Sequence, residues 1–78
     1  MDYRYSVGVN LEREKYTITI NCHFPLMPRG IDMELIALAG MSYLNGPDKV
    51  FVYEFLLPGD FKFLRAVDFL NRCGWKKI

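Results

Sequence analysis

Two stretches near the amino end alternate apolar and polar side chains with period two, and this constrains the chain more than any other feature. Tyr3, Tyr5, Val7 and Val9 alternate with Arg4, Ser6, Gly8 and Asn10. Tyr16, Ile18, Ile20, Cys22 and Phe24 alternate with Thr17, Thr19, Asn21 and His23. Successive side chains on a strand point to opposite faces, so each stretch predicts a β-strand with one apolar face. The charged segment Leu11-Glu12-Arg13-Glu14-Lys15 between them is short enough for a hairpin loop. It lacks an Asn-Gly pair, so the turn type stays open. An isolated hairpin is barely stable in water, and the remaining residues must cover its apolar face.

Pro25 and Pro28 bracket a stiff connection ending at Arg29-Gly30, where the second strand must stop. A helix is expected from Ile31 or Asp32 to Leu44, with Asp32 capping its amino end and Asn45-Gly46-Pro47 stopping it. Lys49 to Leu57 is the third expected strand. Val50, Val52 and Leu56 share one face, Phe51, Tyr53, Phe55 and Leu57 the other, and only Glu54 interrupts the apolar run. Pro58-Gly59-Asp60 makes a turn and cap before a second helix running to about Cys73, where Gly74 ends it. Trp75 ties down the short tail.

The expected fold is therefore α+β, with the order β-β-α-β-α. It has a three-stranded antiparallel sheet in the order 2-1-3 and two helices packed on one face. If the third strand paired with the second instead, that pair would be parallel and would need a right-handed crossover. The whole chain, 78 residues, makes one domain. Half of it is hydrophobic, which supplies a core and excludes disorder. The formal net charge of +1 gives no field that would draw the molecule to nucleic acid or anionic lipid. Cys22 and Cys73 form neither a disulfide framework nor a zinc spacing, which points to a reducing compartment and a cytosolic protein. The amino end is too polar for a signal peptide, and the apolar run Leu35 to Met41 is too short to span a membrane.

Chemistry is sparse. His23 adjoins Cys22, but neighbours on a strand face opposite ways, so the pair makes a poor catalytic dyad. Cys22 and Cys73 read as core residues and His23 as a surface one. Glu12 and Glu14 belong to a solvated turn, and Asp32 and Glu34 suit the first turn of a helix. Glu54 reads as the marker of an exposed strand face, with a buried acid as the alternative. No glycine-rich phosphate loop is present, and Arg29-Gly30 ahead of a helix is a weak anion signal. No cofactor or metal is expected.

Surfaces carry more information. The first helix, Asp32 to Leu44, is apolar at nearly every angle, more than a small sheet and one neighbouring helix can cover. Met33, Ile36, Met41 and Tyr43 are its candidate partner-binding residues. On the second helix, Lys62, Arg65, Phe69, Arg72 and Lys76 follow three-four spacing and would share one face if the helix reached Lys76. Arginine and aromatic side chains dominate interface energetics, so this stripe is a second candidate surface. The third strand adds apolar surface and, as an edge, could pair across a dimer axis.

These features point to a small non-enzymatic protein-binding module that blocks a partner by steric occlusion, with a homodimer through the first helix or third strand as a further expectation. Inhibitors carried by phages and mobile elements, anti-CRISPR proteins among them, share its small size and lack of chemistry. That analogy rests on no motif. A nucleic-acid-binding accessory protein using Lys62, Arg65, Phe69, Arg72, Lys76 and Lys77 is the alternative. Against it, the outward face of the hairpin lacks the stacking aromatics of an RNA-binding sheet. A small thiol enzyme would require Cys22, Cys73, His23 or Glu54 to converge.

Overall fold

A computed structural model describes residues 3–20, 27–47, 50–56 and 61–78. The first two strands form as the alternation dictates. β1 (Arg4–Asn10) and β2 (Lys15–Ile20) pair antiparallel, with Tyr5 opposite Ile20 and Val7 opposite Ile18. The loop between them closes with Glu14 at a φ of 55°.

The first helix is shorter than expected. α1 runs Arg29–Leu38, and the residues after it form a strand, β3 (Met41–Asn45). Ala39 is already extended, and the Gly40 N–H donates to the Glu54 carbonyl at 2.9 Å, so sheet pairing captures the backbone where helix was expected to continue. The all-round apolar character of Asp32 to Leu44 is thus that of a helix joined to a strand. Tertiary pairing has overridden local helix propensity. Asp32 is not the cap. Pro28 holds that position and makes no side-chain cap hydrogen bond, while Asp32 lies in the first turn.

Asn45-Gly46-Pro47 opens the turn of a β-hairpin and does not stop a helix. Gly46 takes a φ of 74° there, and β4 (Val50–Leu56) returns antiparallel to β3. This extra reversal corrects the topology. The third strand of the sequence reading, now β4, pairs with β2, and antiparallel, with Ile18 opposite Tyr53. It is an interior strand, so its edges are not free for a dimer partner. α2 (Phe61–Arg72) follows, and then a two-residue strand, β5 (Lys76–Lys77), pairs parallel with β1. The result is α+β with a five-stranded mixed sheet in the order β3-β4-β2-β1-β5, in place of three antiparallel strands.

The end of α2 explains β5. The Gly74 N–H donates to the Asn71 carbonyl and the Trp75 N–H to that of Leu70, with Gly74 at a φ of 84°. These are the two bonds of a Schellman cap. They turn the chain at Gly74 and deliver Trp75 into the core, where it stacks on Tyr3 with ring centroids 4.7 Å apart.

Both helices cover the face that carries Tyr5, Ile18, Ile20, Phe51, Tyr53 and Phe55, all buried. Leu35 of α1 and Ala66 and Leu70 of α2 complete the core. Phe63 stacks on Tyr16 and meets Phe55 edge-on. Among the described residues no helix is long and apolar enough to cross a membrane. The expected strand ends at Phe24, Lys49 and Leu57, the turn Pro58-Gly59-Asp60, and the neighbours Cys22 and His23 lie outside the described residues.

Candidate functional site

The two margins of the sheet differ sharply. β5 is two lysines long. Short, lysine-bearing edges are a common defence against pairing with other chains. β3 has five residues, Met-Ser-Tyr-Leu-Asn, all exposed, with neither charge nor proline among them. No strand pairs with its outer side among the described residues. An edge strand of this kind offers unpaired backbone N–H and C=O groups to whatever can meet them.

α1 lies beside this margin on the helix-covered face. The Tyr53 hydroxyl, buried under the helix, donates to Asp32 Oδ1 at 2.5 Å and fixes the carboxylate over β4. Next to it opens a cleft of about 250 Å³. Asp32 and Ile36 line it from α1, Ser42, Tyr43 and Leu44 from β3, and Phe51 and Tyr53 from β4. Met33 and Ile36 stay exposed on the helix above, at 60% and 47%.

On the opposite face of the sheet lies Glu54, only 2% exposed. Arg13 of the β1–β2 turn reaches its Oε2 at 3.2 Å, and the Tyr43 hydroxyl donates to the same oxygen at 3.3 Å. Among the described residues, Oε1 is buried without a hydrogen-bond partner. Burial pushes the Tyr43 phenol above its ordinary pKa, the charge of Glu54 and the hydrogen bond to it push the same way, and Arg13 opposes them. Glu54 is therefore a buried, paired acid and does not mark an exposed face. It joins the hairpin turn to β3.

The nine candidate contact residues separate into groups. Met33 and Ile36 are exposed on α1, where Ile36 lines the cleft, while Met41 and Tyr43 are exposed on β3 and lie with Glu54 on the face away from the helices, so the four do not form one patch. The basic stripe does not hold together. α2 ends at Arg72, so Lys76 belongs to β5 on the far margin of the sheet. Phe69 packs against the core instead of standing among charges, and Arg72 is ion-paired with Asp68 at 3.0 Å. Lys62 and Arg65 remain exposed on α2, with Lys77 on β5 beside Lys76. Arg29 and Gly30 form the exposed first positions of α1. Cys73, expected in the core, is exposed and free. Among the described residues no group of His, Cys, Asp and Glu could hold a metal ion.

The sequence reading missed the Asp32–Tyr53 cleft and the Arg13–Glu54–Tyr43 group. A signal for the margin was present. Asn-Gly between apolar runs is a strong hairpin signature, and Met41 to Asn45 before it fits a strand as well as a helix. No family model, curated protein or solved structure matches the chain.

Proposed function

We propose that this chain is a small, non-enzymatic protein-interaction module that docks on its partner through β3 and the adjoining surface of α1. It acts by covering the partner surface it meets, a mechanism that needs no chemistry of its own. The observation that carries this reading is the unprotected margin, five uncharged exposed residues with exposed Ile36 of α1 beside them. Water is a poor environment for such a cluster, and strand addition at an open edge is a recurrent mode of protein recognition. The protein works in the cytosol in this reading, where exposed Cys73 stays reduced.

The test is affinity capture from the native host's lysate with the natural chain and a Met41→Lys/Leu44→Lys double variant. Both side chains are solvent-exposed, so circular dichroism should show an unchanged fold. Partners held by the natural chain should be lost by the variant. Identical capture by the two proteins overturns the assignment of the β3 margin. Capture abolished by nuclease treatment would favour the nucleic-acid reading instead.

A further inference from the structure

We infer that the β3 margin binds an extended peptide segment of its partner, and that one lysine or arginine of that segment enters the cleft against Asp32. This rests on the docking function proposed above and specifies its ligand. An added strand pairs its backbone with β3 and points alternate side chains to the helix-covered face. On that face β3 offers Ser42 and Leu44. Ser42 is the small residue of the row and sits opposite Tyr53, whose hydroxyl holds Asp32. Ser42 on the open edge and Asp32 on α1 thus line the same cleft.

The lining selects the side chain. Ile36, Leu44 and Phe51 make the walls apolar, and among the described residues lining the cleft only Asp32 is of a charged type. Lysine and arginine match this arrangement, because their methylene stems lie along apolar surface while the cationic head finds an anion. Asp32 makes no ion pair with another described residue. A carboxylate has about four acceptor positions, so accepting from Tyr53 leaves room for an incoming N–H. A second copy of this chain fits less well. Its own β3, Met41 to Asn45, brings no basic side chain to the cleft.

The probe is a random peptide library displayed on phage, selected in parallel on the natural protein and on Asp32→Asn. Asparagine keeps an oxygen for the Tyr53 hydroxyl, so the variant should retain its fold. The natural protein should enrich peptides of alternating apolar residues with one lysine or arginine. On Asp32→Asn the alternation should persist and the basic residue should drop out. A synthetic peptide from the first selection should bind Asp32→Asn about tenfold more weakly, the scale of one lost hydrogen bond between charged groups. It should also shift the backbone amide resonances of residues 41–45. Enriched peptides without a basic residue, or equal binding to both proteins, overturn the lysine or arginine pocket while leaving docking at β3 intact. If no peptide shifts the amides of β3, or sedimentation shows a dimer that closes that edge, peptide docking at β3 fails with it.

Discussion

Arg13 Nη1 lies 3.2 Å from Glu54 Oε2, and this contact fastens the tip of the β1–β2 turn to the buried middle of β4. Half of the Arg13 side chain remains in solvent, which moderates the strength of the pair, but Glu54 has no such access to water. Arg13→Ala would leave the carboxylate with Tyr43 alone, and should cost about 1–2 kcal/mol of stability. Glu54→Met should be close to neutral or stabilising. It removes an acid with one unsatisfied buried oxygen and fills the same space with apolar atoms. Urea unfolding midpoints at constant m-value measure both. A larger loss for Glu54→Met than for Arg13→Ala would show that the acid is essential to the fold in its own right.

Trp75 stacks on Tyr3 and, with the pairing of β5 to β1, anchors the carboxyl-terminal tail. Trp75 is 5% exposed, and its backbone N–H completes the cap of α2. Trp75→Ala should cost about 3–5 kcal/mol, the range for losing a large buried aromatic side chain. For a domain this small that is a large share of the total. The measurement is a thermal or urea transition followed by far-ultraviolet circular dichroism, since the variant loses the only tryptophan. A loss below about 1 kcal/mol would mean that the tail is dispensable.

The contrast between the two ends of the chain shows which parts of the fold are legible in sequence. The β1–β2 hairpin and the stop at Gly74 are local: alternation and a glycine specify them without distant contacts. The helix-to-strand change at Ala39 is not local. Residues 41–45 are apolar on both sides, so their pattern suits either period, and pairing with β4 decides the outcome. β5 is two lysines with no strand signal, held by pairing to Arg4 and Tyr5 at the other end of the chain. The candidate site follows the same rule. Met33, Ile36, Met41 and Tyr43 stand out in the sequence as surplus apolar residues of one helix, but the last two lie on β3. The cleft does not stand out, because Asp32 and Ser42 become neighbours only when α1 ends early. The burial of Glu54 is not legible in its own strand, because the cation that makes it tolerable, Arg13, comes from a distant turn.

Alkaline pH should destabilise the protein through two tyrosines. Burial raises the Tyr5 phenol above its ordinary value, partly offset by its hydrogen bond to Asn71, and burial with the Glu54 charge raises Tyr43. Ordinary tyrosines ionise near pH ~10. A phenol whose folded pKa is raised contributes stability that is fully present below that pH. The contribution is lost as pH rises toward the folded value, because the unfolded chain ionises first. Unfolding free energy should therefore be insensitive to these groups at neutral pH and fall above about pH 10. Tyr5→Phe should flatten that fall. At neutral pH it should cost only about 1 kcal/mol, for the 2.6 Å hydrogen bond to Asn71. An unchanged alkaline slope in Tyr5→Phe would show that other groups govern it.

Phe69 and Leu64 separate core from surface on α2. Helical spacing alone suggested Phe69 as an exposed contact among basic residues, a placement in which Phe69→Asp would leave thermal stability almost unchanged. In the structure Phe69 packs against the core cluster, while Leu64 is 62% exposed. Phe69→Asp removes apolar contacts and forces a carboxylate toward the core, so it should cost about 2–4 kcal/mol. Leu64→Asp changes only a solvated position and should stay within about 0.5 kcal/mol. Paired urea titrations of the two variants make the comparison. Equal, small effects would return Phe69 to the surface and restore it as a contact residue beside Arg65. With the expected difference, a loss of partner binding in Phe69→Asp would follow from disturbed packing as readily as from a lost contact. The informative probes of binding are then the exposed residues of the β3 margin.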